Sequence, residues 1–379
     1  MRVFLIAGEP SGDALGQALM QGLKSLVADI EFHGIGGPRM CGEGMESLFP
    51  MDELSVMGLA EILPKYFHLK RRIRESAQAV LDIRPDVLIT IDSPDFCLRV
   101  ARLVKAAAPI RTVHYVAPTV WAWRPGRAQK MAAMIDHVLA LFPFEPPLMQ
   151  AAGMDCDFVG HPIATQPRAT AEEARAFRAA HDIGDAPLAL LLPGSRRGEV
   201  SRIAPVLAET LTQLTRDTPD LRAVLPAAAP VLPLLREMLP DWPVQPILLD
   251  PAETDDTAKR AAFHAADLAI AASGTVSLEL AAARTPMVIA YRMHPVTFAI
   301  MQRMILTDTV TLVNLVADSR TVPEFLGPEC RADLITPAAR ALLEDPTAQD
   351  AAMALTMERL GEGGEAPGLR AAEAVLARL

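Results

Sequence analysis

Short apolar runs alternate with longer amphipathic stretches along the first half of the chain. The short runs are often β-branched and predict buried strands at residues 3–7, 32–35, 87–91, 112–116, 138–141 and 158–159. Between them, helical patterns lie at residues 14–27, 69–81, 98–107 and 127–134. Strands of this type are typical of a parallel sheet that is covered on both faces. The alternation therefore predicts a doubly wound α/β domain.

The same alternation begins again in the second half of the chain. Two prolines and several polar residues interrupt it at 161–169, and a charged helix is predicted at 171–181. Further strands are predicted at 188–192, 223–225, 247–249, 268–271 and 287–290. We expect Rossmann-like domains at 1–167 and 168–345, and a helical tail at 346–379 that could pack back on the first domain. Two such domains are expected to enclose a cleft, and the loops at the carboxyl ends of their strands are expected to face it.

The charge balance argues against a nucleic-acid-binding protein. Lys and Arg number 36 against 46 Asp and Glu, so the net charge is −10, whereas duplex binding usually needs a basic field. The mean hydropathy of +0.22 is high for an acidic protein. No stretch reaches the ~18 apolar residues of a membrane-spanning helix. The apolar start of the chain is too short for a signal peptide and is interpreted as the first strand.

Metal and disulfide chemistry is not indicated. The four cysteines are scattered without a CxxC pair, and no two of the eight histidines lie three to five residues apart. This distribution argues against a zinc site and against a disulfide framework, and it fits a reducing cytoplasm. We expect neither a metal nor a cofactor.

Two loops could bind an anion, because each connects a predicted strand to a helix and is rich in small residues. The first is GEPSGD at 8–13, which contains Glu9, Ser11 and Asp13. The second is LPGSRRGE at 192–199, which contains Gly194, Ser195, Arg196 and Arg197. Backbone N–H groups at a helix start and arginine guanidiniums both bind phosphate. The alternative is an ordinary turn in which Ser11 or Ser195 caps the helix.

A third strand-to-helix loop is AASGTVSLE at 271–279. Its Ser273, Gly274 and Thr275 could hold a diphosphate, and Glu279 could accept ribose hydroxyls. The alternative is a capping box that ends at Glu279. The dinucleotide fingerprint is incomplete, because Arg39 stands where GIGGPR would need its third glycine, and no Walker pattern is present. Hydride transfer and NTP hydrolysis are therefore weaker hypotheses.

Carboxylates and tryptophans follow two further strands. Asp92 and Asp95 come after the strand at 87–91, where a carboxylate suits a general base. The alternative is that one of them caps the following helix. Trp121 and Trp123 follow the strand at 112–116 and form either a ligand wall or a structural contact.

An apolar segment runs directly into a basic cluster at residues 56–72, VMGLAEILPKYFHLKRR. Such a combination can insert into a bilayer surface and meet anionic headgroups. A core helix with a solvated basic end is the alternative.

Together, these motifs resemble the bacterial lipid-A-disaccharide synthase family. The matching motifs, in order, are GEPSGD (8–13), GIGGPRM (34–40), MG (57–58), PDF (94–96), VWAWR (120–124), LFPFE (141–145), FVGHP (158–162), LPGSR (192–196) and SGT (273–275). The resemblance extends from residue 1 to about 330. It implies an inverting glycosyltransferase of the B type, with two Rossmann-like domains.

The family joins UDP-2,3-diacylglucosamine to 2,3-diacylglucosamine 1-phosphate, giving a β-1,6 disaccharide and UDP. By matching motif, the resemblance implies that Asp95 and Arg196 are essential and that Glu9 lies beside them. Asp95 is the expected base, with Glu9 and Asp13 as rivals. Arg196, the helix start after it and residues 273–275 are expected to neutralise the departing diphosphate. The expected nucleotide-side residues also include Asn314 and Glu324.

Acylated substrates imply a cytoplasmic enzyme that is peripheral on the inner face of the inner membrane, and a homodimer is considered as well. The expected lipid-facing residues are Met57, Leu59, Ile62, Leu63, Tyr66 and Phe67. Lys65, Lys70, Arg71 and Arg72 are expected near the headgroups. The alternatives are another UDP-sugar enzyme of this fold, such as a UDP-N-acetylglucosamine 2-epimerase, and a non-catalytic lipid-binding protein.

Overall fold

The computed structural model describes the backbone of residues 1–54 and 59–379, and the side chains of residues 1–54 and 66–379. The chain divides into two compact units. Unit 1 comprises Met1–Thr165 and Leu360–Leu379, and unit 2 comprises Gln166–Arg359.

Unit 1 contains a seven-stranded parallel sheet. Its strands are β1 (Arg2–Ala7), β2 (Glu31–Ile35), β3 (Glu46–Ser47), β4 (Val87–Ile91), β5 (Arg111–Tyr115), β6 (His137–Ala140) and β7 (Asp155–Phe158). They are ordered β3-β2-β1-β4-β5-β6-β7. Residues 3–7 of β1 and all of β4 are buried, because side chains from both faces of a central strand meet covering layers. The expected last strand at 158–159 lies earlier, as β7.

Helices connect these strands. They are α1 (Pro10–Leu26), α2 (Pro38–Gly42), α3 (Leu59–Ile83), α4 (Pro94–Ala107), α5 (Gly126–Ala132) and α6 (Pro146–Ala151), with 3₁₀ turns at Met51–Glu53 and Pro162–Thr165. Proline occupies the start of α1, α2, α4 and α6, where its missing N–H has no intrahelical acceptor to lose. Helices α1 and α4 consequently begin four residues before their expected starts at 14 and 98.

Unit 2 repeats the architecture. Its strands are β8 (Leu188–Leu192), β9 (Arg222–Pro226), β10 (Ile247–Leu249), β11 (Leu268–Ala271), β12 (Met287–Tyr291) and β13 (Glu324–Leu326). They are ordered β10-β9-β8-β11-β12-β13, and each neighbouring pair is parallel. The predicted α/β class with two doubly wound, Rossmann-like domains is confirmed.

The helices of unit 2 cover this second sheet. They are α7 (Ala171–Ala180), α8 (Arg197–Asp217), α9 (Leu232–Met238), α10 (Asp256–Ala265), α11 (Val276–Ala283), α12 (Pro295–Met304), α13 (Leu312–Ala317), α14 (Ala332–Glu344) and α15 (Thr347–Arg359), with 3₁₀ turns at Ala229–Val231, Leu239–Asp241 and Gly327–Glu329.

The C-terminal residues divide between the units. Helix α15 packs on α11 and α13 within unit 2, whereas α16 (Pro367–Leu376) packs on α1 in unit 1. A Cβ on Gly22 would lie 2.6 Å from the Gly368 carbonyl oxygen, so glycine permits the close approach of α1 and α16. The expected single tail at 346–379 is therefore two segments, because residues 347–359 belong to the core of unit 2.

An ion-pair network joins the chain terminus to the edge strand β7. Arg378 donates from Nε and Nη2 to the Asp157 carboxylate at 2.6 and 2.9 Å. His137 Nε2 lies 2.8 Å from the same carboxylate. The bond from Arg378 lowers the pKa of Asp157 below its usual value. This pairing holds the end of α16 against the sheet of unit 1.

Removing this guanidinium should loosen α16. Arg378→Met keeps the aliphatic bulk but leaves Asp157 without its bidentate partner. The loss should be about 1–2 kcal/mol, discounted because both side chains are partly exposed, so amide hydrogen exchange in α16 should accelerate roughly tenfold. The exposed Arg102 offers a control, Arg102→Met. Unchanged exchange in the Arg378 variant would show that helix packing alone holds α16.

Candidate active site

The strand order of unit 1 reverses between β1 and β4, and the loops that follow these strands touch there. A Cβ on Gly8 would lie 2.6 Å from the Ser93 hydroxyl. The loop after β4 is strained, since Asp92 and Ser93 have φ of 52° and 42°. Left-handed conformations of residues other than glycine cost about 1–3 kcal/mol and concentrate at functional sites. This edge of unit 1 is therefore a candidate ligand site.

Asp95 lies in the first turn of α4 at this point, and its side chain is exposed. It makes no hydrogen bond or ion pair with the described residues. The N-cap residue of α4 is Ser93, and no side chain forms the capping hydrogen bond. The alternative that Asp92 or Asp95 caps α4 is thus wrong. Both oxygens of Asp95 remain available to a ligand.

Asp13 has a different environment. Its side chain is buried and accepts hydrogen bonds from the backbone N–H groups of Gly37, Arg39 and Met40 at 2.8–3.0 Å. Asp13 therefore holds the start of α2, and the structure does not bring it to the surface as the rival base or binding group that was expected. Glu9 is half-buried at the N-cap position of α1, and the alternative that Ser11 caps this helix is wrong.

A buried carboxyl to which sequence analysis assigned no role lies beyond β6. Glu145 accepts hydrogen bonds from the backbone N–H groups of Leu141 and Phe142 at 3.1 and 3.0 Å. The indole N–H of Trp121 donates to it at 3.3 Å, and the Trp121 ring meets Phe144 edge to face. Burial raises the pKa of Glu145 to about 7. Trp121 therefore makes a structural contact that joins the loops after β5 and β6.

In unit 2 the strand order reverses between β8 and β11, and a pocket of 630 Å³ lies at that edge. The loops after β8, β9, β10 and β11 all contribute to its wall. Its lining includes the predicted residues Gly194, Ser195, Arg196, Ser273, Gly274, Thr275 and Glu279. Arg197 is exposed and does not line it. The structure thus brings two of the three predicted anion loops into one pocket.

Arg196 is the N-cap residue of α8, and its side chain is 69% exposed. Its Nη1 lies 3.2 Å from Glu199 Oε1, which also accepts from the Tyr291 hydroxyl at 3.4 Å. Gly194 has a φ of 105°, and a Cβ there would lie 2.7 Å from Glu199 Oε2. Glycine is therefore required for this turn. Ser195 precedes the N-cap residue, so the alternative that Ser195 caps α8 is wrong.

Glu279 is paired with a residue that sequence reasoning missed. Lys259 Nζ of α10 donates to Glu279 Oε2 at 2.7 Å and lies over the Phe263 ring. Thr275 is the N-cap residue of α11 but makes no side-chain capping bond, so the alternative of a capping box is wrong. Because Lys259 and Phe263 also line the pocket, a cation and an aromatic face join the predicted hydroxyl loop.

Asn314 and Glu324 lie elsewhere. The Asn314 amide donates to the Val322 carbonyl and accepts from the Val322 N–H, at 2.9 and 3.0 Å. Glu324 accepts from the N–H groups of Val310 and Thr311. These bonds fix the segment before β13. Both residues border a second cavity of unit 2 and not the pocket that contains Arg196.

The predicted lipid-facing segment is described only in part. Tyr66 and Phe67 are 45% and 81% exposed on α3. Met57 and the side chains of Leu59, Ile62, Leu63 and Lys65 lie outside the described residues. Lys70 and Arg71 are exposed.

Arg72 differs from the expectation of a headgroup contact. It donates to both oxygens of Glu53 at 2.7 and 2.8 Å and to Glu75 at 2.8 Å. Its hydrogen bonds hold the pKa of Glu53 at about 2. The guanidinium is therefore engaged within unit 1.

Among the described residues, no helix is long and apolar enough to cross a bilayer, and no group of His, Cys, Asp and Glu side chains is arranged to hold a metal ion.

Comparison with known proteins decides the family. The sequence model described as lipid-A-disaccharide synthetase matches residues 3–375. The chain belongs to this family. The lipid-A-disaccharide synthase of Ruegeria pomeroyi is 62% identical, and the alignment covers 100% of this chain and 96% of that protein. The synthase of Rhodospirillum centenum is 47% identical over 99% of this chain and 94% of its own length.

Family membership confirms the predicted enzyme class, a glycosyltransferase, and does not favour the 2-epimerase and lipid-binding alternatives. Solved structures agree with the fold. The UDP-GlcNAc 2-epimerase of Neisseria meningitidis superposes with a TM-score of 0.64 at 12% identity, over 100% of this chain and 99% of that one. The glycosyltransferase of kitacinnamycin superposes with a TM-score of 0.64 at 15% identity, over 100% of this chain and 99% of that one. At such identities the similarity shows the fold alone.

The carboxyl of Glu145 predicts a pH dependence of stability in this family member. Its pKa is about 7 when folded and about 4.3 when unfolded. Its contribution is therefore full below about pH 4 and is lost as the pH rises through about 7. Relative to Glu145→Gln, the wild-type free energy of unfolding should fall by about 2–3 kcal/mol between about pH 5 and about pH 8.

Urea unfolding of both proteins across this range measures the difference. Glu46→Gln removes an exposed carboxyl, and its free energy of unfolding should change with pH in parallel with that of the wild type. If the free energy of unfolding of Glu145→Gln also changed with pH in parallel with that of the wild type, the prediction would be contradicted.

Proposed function

We propose that the chain transfers the diacylglucosamine of UDP-2,3-diacylglucosamine to the 6-hydroxyl of 2,3-diacylglucosamine 1-phosphate. The products are a β-1,6-linked disaccharide 1-phosphate and UDP. The observation that carries the proposal is the pocket of unit 2, where two helix starts and a guanidinium converge at the strand-order reversal. Such groups suit a diphosphate, and family membership supplies the class of reaction.

In this proposal the UDP group occupies that pocket. The N–H groups at the start of α8 and the Arg196 guanidinium would face one phosphate, because both are exposed at the pocket. The hydroxyls of Ser273 and Thr275 would face the other. Glu279 would accept the ribose hydroxyls while Lys259 holds its carboxylate in place. Arg196 would also stabilise the charge that develops on UDP as it leaves.

Inversion at the anomeric carbon requires one concerted exchange. The acceptor oxygen forms a bond to C1 as the bond from C1 to the UDP oxygen breaks, and a base takes the hydroxyl proton. Asp95 suits that role better than Asp13, because Asp95 is exposed without a partner among the described residues while Asp13 is buried with three hydrogen bonds. Glu9 is the remaining rival.

Labelled UDP-diacylglucosamine incubated with the monosaccharide 1-phosphate tests the reaction. Disaccharide and UDP should appear together in equal amounts. Absence of UDP release at micromolar enzyme would refute the transferase proposal. Incubation with UDP-N-acetylglucosamine alone should give no epimer.

Asp95→Asn should lower kcat by about 100- to 10,000-fold, because the amide cannot take the acceptor proton. The melting temperature should stay unchanged, since the side chain makes no bond within the described structure. Initial rates at saturating substrates measure the effect.

The matched control is Asp29→Asn, which removes an exposed carboxylate before β2, at the opposite edge of the sheet. It should leave kcat unchanged. Near-wild-type turnover of Asp95→Asn would transfer the role of base to Glu9, and Glu9→Gln would then be the variant that loses activity.

We also propose that the enzyme is cytoplasmic and contacts the inner face of the inner membrane through the start of α3. Two exposed aromatic side chains of α3, Tyr66 and Phe67, are followed three to five residues later by the exposed Lys70 and Arg71. Aromatic rings beside basic groups suit a surface with anionic headgroups. The homodimer stays a prediction.

Phe67→Ser should weaken binding to anionic vesicles by roughly tenfold, because the ring would no longer be transferred from water to the acyl region. The melting temperature should change little, since the side chain is 81% exposed. Leu26→Ser is the control, because Leu26 is also a large apolar side chain, 44% exposed, but lies at the carboxyl end of α1. A large loss of stability in Phe67→Ser would instead make the residue part of the core.

A further inference from the structure

A second cavity of unit 2, with a volume of 860 Å³, has no role in the function proposed above. It lies among α12, the turn after β12 and the segment around β13. Its apolar lining includes Met293, Phe298, Met301, Ile305, Val310 and Leu326. Small-molecule sites have volumes of about 300–1,000 Å³ and mostly apolar walls. The cavity is therefore of a size and chemistry that suit a ligand.

Helix α12 forms one wall and is itself unusual. None of its ten residues is buried, although Val296 and Ile300 are large apolar side chains that are 62% and 52% exposed. The Phe298 ring sits against Gly327, where an added Cβ would lie 2.6 Å from the ring. Gly327 also has a φ of 57°. The turn after β13 is thus shaped to receive this ring and so to keep α12 over the cavity.

Four polar residues of the cavity wall already have hydrogen-bond partners. Glu324 accepts from Val310 and Thr311, and Asn314 is bonded to Val322 in both directions. Arg320 is paired with Asp308. Because polar groups that already have partners gain little from a ligand, these four residues offer it few new hydrogen bonds, and the apolar side chains supply most of the contact.

The cavity adjoins the pocket that contains Arg196. Ser273 lines both. Tyr291 lines the cavity, and its hydroxyl donates to Glu199, the residue that pairs with Arg196 at the pocket. A ligand that placed a diphosphate at Arg196 could therefore extend an attached group past Ser273 into the cavity.

We propose that this cavity binds an acyl chain of the UDP-sugar donor. The inference rests on the proposed function, because only a donor whose sugar carries acyl chains presents an apolar group beside the diphosphate. The wall shared at Ser273, and the Tyr291 hydroxyl bonded to Glu199, favour the donor over an acceptor chain or a bilayer lipid. Unit 2 thereby selects its substrate by the lipid as well as by the nucleotide.

The test uses a series of UDP-diacylglucosamines whose acyl chains are short enough to stay monomeric in water. With the wild-type chain, the donor KM should fall by up to about fourfold for each methylene that enters the cavity, at constant acceptor. In Met293→Ser/Met301→Ser the dependence of KM on chain length should flatten, while kcat and the binding of UDP itself stay near wild type. Both side chains are only partly buried, so folding should survive.

Val296→Ser is the matched control, since Val296 lies on the same helix but does not line the cavity. Its chain-length dependence should equal that of the wild type. A double variant that kept the full dependence would overturn the proposal. So would a Val296→Ser variant that lost the dependence equally, together with vesicle binding, because α12 would then be a bilayer contact. Turnover of the shortest donor by the wild type reports on the transferase reaction independently.

Discussion

The chemistry of both units depends on one constraint, the reversal of strand order about the first strand of each sheet. β1 pairs with β2 on one side and with β4 on the other, and β8 pairs in the same way with β9 and β11. Helices that follow strands on opposite sides of the reversal must leave in opposite directions, so the loops between them diverge and leave a crevice. The 8–13 and 92–95 loops border this crevice in unit 1, and the 193–196 and 272–275 loops border it in unit 2. Gly8 and Gly194 are required there because any Cβ would meet the neighbouring loop or helix.

The central part of the fold could be predicted from the sequence because its strands are buried on both faces. Residues 3–7 and 188–192 are entirely apolar, and residues 87–91 contain a single polar side chain, Thr90, so none of these runs has the polar face of an amphipathic helix. The edge strands β3 and β13 were missed, because they are two and three residues long and each begins with a glutamate. Their conformation comes from pairing with β2 and β12, which a local pattern does not contain. The early starts of α1 and α4 were missed for a related reason, since a polar first turn that begins at proline has no apolar periodicity.

The sequence predicted which loops form the candidate site, but not which residues hydrogen-bond to the side chains of those loops. Asp13 and Asp95 look equivalent in the sequence, since each follows a buried strand and lies in the first turn of a helix. The fold separates them, because the start of α2 meets Asp13 with three N–H groups and nothing described meets Asp95. Glu279 was expected to accept ribose hydroxyls, with a capping role as the alternative, and its partner Lys259 on a different helix was not predicted. Glu145 was noticed only as the last residue of the LFPFE motif, since its raised pKa arises from burial beside Trp121 and the 141–142 backbone, which the sequence does not show.

The net negative charge of the chain does not prevent contact with an anionic membrane surface. A net charge of −10 repels an anionic surface, but beyond a Debye length of about 8–10 Å such a charge is largely screened. The two basic side chains beside Phe67, Lys70 and Arg71, can therefore attract anionic headgroups although the chain as a whole is negative. Moving an acyl chain from a bilayer into an apolar cavity exchanges one apolar environment for another, so the transfer itself is close to neutral in free energy. If UDP and an acyl chain bind as proposed, capture of the donor depends on the diphosphate contacts at Arg196, and the cavity beside Ser273 determines which acyl chains fit.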